Sequence, residues 1–265
     1  MRVVDLDRDM SDVFPTGSQP DSEFLFARME AETLSATGCV PGARIVDVAA
    51  GVGQDARTLA ARGARVAGAE PSSRMTELAR IADAKAPAIA PGSLDRVRAW
   101  SESLPFRSGA FDAAYCKGAL DHFDDPEACL REMARVTRRG GRVVLAVANF
   151  DSLGVRISRQ LDRLRGSLPE GRRHYDVPSD HFTRYDPELL ERQLERLVQI
   201  DRRIGVSLLW GVRGWARLLA WLGPRASGLL LRAADRVAAR FPALADIIVL
   251  AGSPRPADRT SGDPP

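Results

Sequence analysis

The residues best placed to do chemistry lie in VDVAAGVGQDARTLAARGARVAGAE (46–70). Gly51 and Gly53 follow an apolar run, and a carboxylate, Glu70, closes the next one. Glycines at such a turn let backbone approach a ligand where a Cβ would clash or force an unfavourable φ. A carboxylate at the tip of the neighbouring strand can accept hydrogen bonds from two ribose hydroxyls, and each charge-assisted bond contributes on the order of 1.5–3 kcal/mol. Turn and carboxylate together propose an adenosine-containing ligand.

The flanking elements have to hold these groups in place. Ile45, Val46, Val48 and Ala49 show no polar alternation, which predicts a strand buried on both faces in a parallel sheet. Ala56, Leu59 and Ala60 mark one face of a helix that stops at Gly63, and Val66 to Ala69 form a second strand. Pro71 disfavours a helical Glu70, so the carboxylate sits on extended backbone before Ser72 or Ser73 starts another helix, with Met75, Leu78, Ala79 and Ala82 inward. Strand alternating with helix predicts a doubly wound α/β sheet.

The rest of the chain extends this pattern. An amphipathic helix begins at Asp21 or Ser22 and ends at Gly38, after a loose arm over 1–20. Residues 87–92 break the chain, and Arg96 to Trp100 read as a third strand. The stretch SESLPFRSGAFDAAYCKGALDHF (101–123) is a loop, a fourth strand over Phe111–Cys116, and a turn. Asp125 is a fitting N-cap, with Pro126 at the first helical position and Glu127 complementing the dipole. That helix carries Leu130 and Met133 inward and ends with Arg138 and Arg139 before Gly140-Gly141; Arg142 to Asn149 is the fifth strand. Residues 151–187, including HYDVPSDHFTRYDP (174–187), read as an excursion over the strand tips. A helix over Pro187–Leu197, an irregular strand over Val198–Leu209, two helices broken at Gly223-Pro224 and a last strand, ADIIVLA (245–251), complete the pattern.

Composition narrows the function classes. The 265 residues are 45% hydrophobic and 28% charged, enough for one sizeable core. Lys plus Arg number 38 against 35 Asp plus Glu, and an excess of three spread along the chain does not predict nucleic-acid binding. Cys39, Cys116 and Cys129 have neither paired spacing nor a neighbouring histidine cluster, so no disulfide framework and no metal site is expected. The acidic start, MRVVDLDRDMSD, is no targeting segment, and a cytoplasmic protein is expected. Trp210, Trp215 and Trp221, with their leucines, form an apolar stretch too short to span a membrane. Core packing is its plainest reading; a wall for a hydrophobic substrate, a dimer face or peripheral membrane contact through 208–222 are the others.

Four stretches in order, VDVAAGVGQDA (46–56), VAGAEPSSRMTELAR (66–80), SESLPFRSGAFDAAYCKGALDHFDDP (101–126) and LREMARVTRRGGRVVLAV (130–147), resemble the class I S-adenosylmethionine-dependent methyltransferases with a methyltransferase-11-like core. The resemblance implies a Rossmann-like seven-stranded sheet whose antiparallel last strand is inserted beside the fifth, helices on both faces, and a helical insertion before that last strand. It implies S-adenosyl-L-methionine as cofactor, with Asp47, Ala49, Gly51 and Gly53 around its methionine part and Glu70 on the ribose. Pro71 and Met75 would flank the adenine, Ser101 and Glu102 would close that side, and Lys117 with Gly118 would face the cofactor carboxylate or the substrate. The expected division is arm and helix (1–38), cofactor-binding core (39–150), substrate-side excursion with helical insertion and completed sheet (151–252), and, from its Pro, Gly and Asp content, a disordered tail (253–265). This sequence departs from the family in having Ala49 where glycine is frequent and Trp100 where aspartate is common.

The expected reaction is methyl transfer by in-line displacement to a small acceptor, with the protein acting as a monomer or homodimer. Asp121-His122 is read first as a helix start; a general base at His122 is the alternative, and His174, Tyr175 and His181 are further candidates. G-x-G-x-x-A over Gly51–Ala56 also fits an NAD(P)-dependent oxidoreductase, and Trp100 together with the lack of an obvious base fits a cofactor-binding protein without turnover.

Overall fold

In the computed structural model, residues 19–85, 92–165 and 183–256 are described. His174, Tyr175 and His181 lie outside them, as do most of the N-terminal arm and of the C-terminal tail. In chain order the elements are α1 (Pro20–Ala36), β1 (Arg44–Val48), α2 (Gln54–Ala61), β2 (Arg65–Ala69), α3 (Ser73–Lys85), β3 (Ser93–Val97) and β4 (Phe111–Lys117). They continue with α4 (Pro126–Val136), β5 (Thr137–Ala148), α5 (Leu153–Leu164), α6 (Pro187–Glu195), β6 (Val198–Val206), α7 (Trp215–Arg240) and β7 (Ile247–Pro254).

The seven strands form one sheet in the order β3-β2-β1-β4-β5-β7-β6. β1 pairs in parallel with β2 and β4, and β7 runs antiparallel between β5 and β6. This is the expected architecture, last strand included. The order reverses between β1 and β4, and the crevice beyond the strand tips at such a switch point is where doubly wound sheets bind ligands.

Both faces of the sheet are covered, which is why the central strands read as unbroken apolar runs. Ile45, Tyr115, Val144 and Val249 pack with Leu25 and Met29 of α1 and Leu59 of α2. Val46, Val48, Cys116 and Leu145 face the other way, onto Leu130 and Met133 of α4 and Leu190 and Leu194 of α6. Each fully buried aliphatic of this kind contributes about 1.5–3 kcal/mol. Local signals set several helix starts. Asp125 caps α4 by accepting from the Ala128 amide at 2.8 Å, and the Ser72 hydroxyl caps α3 by accepting from the Met75 amide at 3.1 Å. The helix break at Gly223-Pro224 is also present, with Gly223 at φ 73°, ψ 169° inside α7.

Several boundaries differ from expectation. The third strand is Ser93–Val97 rather than Arg96–Trp100. A Cβ on Gly92 would lie 2.2 Å from the Ala64 carbonyl oxygen, so the chain is pressed against α2 there, and the Ser93 amide at once joins Ala64 at 3.1 Å. As a half-exposed edge strand it carries polar residues, and the apolar signal is displaced onto the residues after it. The fourth helix stops at Val136 instead of Arg139, because Thr137 already pairs with Phe111 and the register shifts before Arg142 meets Ala113. Part of the expected excursion is helix α5, started by Ser152, whose hydroxyl accepts from the Val155 amide at 3.3 Å. β6 ends at Val206, since Ser207 and Leu209 turn to φ of 60° and 69°.

Candidate active site

The glycine turn is built by β1 running into α2. The Ala50 amide donates to the Ala69 carbonyl at 3.1 Å, and the Gly53 amide closes the turn on the Ala50 carbonyl at 2.8 Å. Gly53 then caps α2 at φ 73°, a left-handed conformation that glycine adopts without strain. Opposite, the Glu70 amide donates to Val97, which keeps the residue extended at the tip of β2. Its carboxylate reaches back to the turn: Oε2 accepts from the Gly51 amide at 2.8 Å and Oε1 from the Ser72 amide at 2.9 Å. A carboxylate offers about four lone-pair sites, and these two amide bonds fix its direction at the turn.

Behind the turn stands a clamp that sequence reasoning missed. The Val52 carbonyl accepts from Arg57 Nη1 at 3.1 Å and from Arg96 Nη2 at 3.4 Å. Both guanidinium groups also grip Asp83 of α3, Arg57 at 2.6 Å and Arg96 through two bonds of 2.9 Å. A Cβ on Gly53 would lie 2.6 Å from Arg96 Nη1, so this glycine makes room for the clamp as well as for the turn. No local pattern marks these residues, because α2, α3 and β3 meet only in the folded chain.

The other wall comes from β1 and β4. Asp47 and Tyr115 are register partners on neighbouring parallel strands. Lys117, at the tip of β4, binds both oxygens of Asp55 in the first turn of α2, at 2.7 and 2.8 Å. Asp55 is a second group that the sequence reading did not single out. Asp47 is only 4% exposed, and burial, reinforced by the Asp55 charge, pushes its carboxyl up to about 7. Tyr115 and Lys117 pull it partly back, while Glu70 raises it further. The fully buried Tyr115 hydroxyl sits against Asp47 without a well-formed hydrogen bond; burial first, then the Asp47 charge, raises it well above the usual phenol value.

The remaining expected residues fall around these walls. Ala49 adopts φ 61°, so the methyl group stands where the backbone calls for glycine. Met75 is buried with its Cε 3.8 Å from where a Gly51 Cβ would lie, placing the thioether against the turn. The Pro71 carbonyl accepts from Arg98 Nε at 3.2 Å, tying the loop after β3 to the tip of β2. On that loop, buried Ser101 donates through its hydroxyl to Glu102 at 2.7 Å, while Trp100 is exposed and its carbonyl accepts from the Ser103 amide. His122 closes a single 3-10 turn over Leu120–His122, half-buried, its amide donating to Ala119 at 3.0 Å. The structure thus joins Asp47, Gly51, Gly53, Glu70, Met75 and Lys117 in one network of contacts and charges. Among the described residues no group of histidine, cysteine and carboxylate side chains suited to a metal ion occurs.

Residues 46–145 match the family described as "Methyltransferase domain". That stretch, 100 of the 265 residues, is similar to a methyltransferase domain. A demethylmenaquinone methyltransferase from Renibacterium salmoninarum is 31% identical over 136 residues, covering 51% of this chain and 54% of the relative. A ubiquinone biosynthesis O-methyltransferase from Xanthomonas oryzae pv. oryzae is 30% identical over 139 residues, 51% of this chain and 55% of the relative. The chain thus spans about half the length of these curated relatives. Among solved structures, a geranyl diphosphate methyltransferase in complex with GPP and sinefungin superposes with a TM-score of 0.55 at 18% identity, covering 86% of this chain and 78% of the other. The likeness in fold therefore extends past residues 46–145 into the strands and helices that follow them.

Proposed function

We propose that the chain is a transferase that binds S-adenosyl-L-methionine across the tips of β1, β2 and β4 and passes a methyl group to a small acceptor. The observation that carries the reading is the Glu70 carboxylate, fixed by the Gly51 amide at 2.8 Å beside the sheet's switch point. Adenosine needs a carboxylate for its sugar and an apolar surface for its base; Glu70 and the buried Met75 side chain supply them on either side of Gly51.

In this reading Glu70 takes the ribose hydroxyls, Pro71 and Met75 flank the adenine, and Ser101 with Glu102 closes that side. Asp47, Ala49, Gly51 and Gly53 surround the methionine part. Asp47 and Asp55 supply negative charge for a ligand that carries an ammonium and a sulfonium, and Lys117 is the cation for its carboxylate. S-adenosylmethionine, once bound, supplies an already activated methyl group. The chain's task is then chiefly to orient the acceptor for in-line attack and to exclude water. His122 is the described candidate for removing a proton from the acceptor; His181 is the second candidate by sequence.

The acceptor is proposed to be a small, partly apolar molecule, as the quinone-pathway names of the relatives suggest. Among the described residues no helix is long and apolar enough to cross a membrane. Thermal melting with S-adenosylhomocysteine tests the reading: ligand at 100 times its Kd should stabilise the fold by about 2.7 kcal/mol. A shift with NADH and none with S-adenosylhomocysteine would transfer the site to dinucleotide chemistry. Mass spectrometry of a cell extract incubated with the protein and methyl-labelled cofactor then identifies the acceptor.

A further inference from the structure

α7 has two unlike faces. Leu219, Ser227, Leu231, Asp235 and Ala238 point inward, and Asp235 anchors the helix by accepting from Arg28 Nε at 2.8 Å and from the Ser207 amide at 3.0 Å. The exposed side chains of its two segments, before and after the break at Gly223, are apolar and cationic at once. Trp221 is 81% exposed, Leu229 65% and Leu218 42%. Arg217, Arg225, Arg232 and Arg236, on the same element, are all exposed. Asp235, the helix's one acidic residue, is turned into the protein.

Several arginines elsewhere on the chain are paired. Arg57, Arg96, Arg135, Arg138 and Arg142 each hold a carboxylate. Arg217, Arg225, Arg232 and Arg236 hold none among the described residues, so the positive charge of this face is uncompensated beside large apolar side chains left in water. A nucleic acid would use the charge and could stack on Trp221, but would leave Leu218 and Leu229 without an apolar partner. An apolar protein partner would bury the leucines but leave the guanidinium groups to be desolvated.

We propose that the outward face of α7 docks on an anionic lipid surface, with Trp221, Leu218 and Leu229 entering the interface and the arginines meeting lipid phosphates. Tryptophan suits this boundary because its ring is apolar and its N–H polar, and arginine attaches to phosphate while its stem lies along apolar material. Attachment is interfacial, since α7 is not apolar enough to span. Anionic headgroups supply the charge complement that the helix lacks.

The test is co-sedimentation of the full chain with vesicles of phosphatidylglycerol and phosphatidylcholine, beside vesicles of phosphatidylcholine alone. The expected result is pelleting with the anionic vesicles only, falling steeply as salt is raised to about 0.5 M. Trp221→Ala should weaken partitioning by roughly tenfold or more. Leu229→Ser and Arg225→Glu, also at exposed positions, should act in the same direction, with unchanged circular dichroism for all three. No pelleting with either vesicle would overturn the proposal, as would equal pelleting with both or full retention by Trp221→Ala. So would light scattering that shows a dimer which Trp221→Ala dissociates, or RNA binding in place of vesicle binding. The melting response to S-adenosylhomocysteine should be the same for Trp221→Ala and the parent chain, which separates this surface from the strand-tip site.

Discussion

The Gly51 amide donates to Glu70 Oε2 at 2.8 Å across the gap between β1 and β2, so the glycine turn and the carboxylate form one unit. The Ser72 amide on Oε1 fixes the carboxylate from the other side. A group held by two amides keeps its direction whether or not a ligand is present, and binding then loses little entropy in ordering it.

Replacing Glu70 should therefore remove binding and loosen the turn together. Glu70→Ala is expected to weaken S-adenosylhomocysteine binding by roughly 3 kcal/mol or more, the loss of two charge-assisted bonds to a sugar. Glu70→Gln, which keeps one carbonyl acceptor, should fall between the two. Isothermal titration calorimetry measures all three, and equal affinity for Glu70→Ala and the parent chain would remove Glu70 from the ribose.

Ala49 stands at φ 61° in the same turn. An L-residue in the left-handed region costs roughly 1–2 kcal/mol, and glycine avoids this while losing about 0.5–1 kcal/mol through the unfolded chain. Ala49→Gly is accordingly expected to raise the melting temperature modestly, a net gain of up to about 1.5 kcal/mol. A lower melting temperature would mean that the Ala49 methyl group contributes packing that outweighs the strain.

The parts of this molecule that could be read from sequence are those set by neighbouring residues. The Asp125-Pro126 helix start, the extended Glu70 before Pro71, the glycine turn and the break at Gly223-Pro224 each depend on a few adjacent side chains. Burial on both faces made β1 and β4 legible, whereas half-exposed β3 misled because an edge strand carries few apolar residues. Nothing local announced that Arg57, Asp83 and Arg96 would converge on Val52, or that Lys117 would pair with Asp55 rather than stand alone. Those pairings depend on how α2, α3 and β4 are placed around β1. Trp100 was readable as a departure from the family, but not its exposed place on the turn after β3.

The clamp behind the turn gives a prediction of its own. Asp83 is partly exposed, so its ion pairs contribute little to overall stability, less than about 1 kcal/mol. Their effect is local: without Asp83, Arg57 and Arg96 lose the anchor that aims them at the Val52 carbonyl. Asp83→Ala should leave the melting temperature of the ligand-free protein nearly unchanged while weakening S-adenosylhomocysteine binding severalfold. Unaltered affinity would show that the turn holds its shape without the arginines.

Asp47 links the site to pH. Its carboxyl is raised to about 7, first by burial and then by the Asp55 charge. Because the folded chain holds this proton more tightly than the unfolded chain, its contribution to stability is complete in acid and is lost as pH rises through about 7. The slope reaches up to about 1.4 kcal/mol per pH unit for one group. Asp246, also raised to about 7 by burial, adds a similar dependence, so Asp47→Asn should remove part of the slope between about pH 5 and 7.5 and leave the rest. Binding of S-adenosylhomocysteine, whose ammonium favours ionised Asp47, should expel the proton near neutral pH, and affinity should rise with pH up to about 7 and then level off. Calorimetric titration at pH 6.5 in two buffers of different ionisation enthalpy reads the released proton directly. Identical heats in both buffers, with Asp47→Asn binding as the parent does, would take Asp47 away from the ligand's amino group.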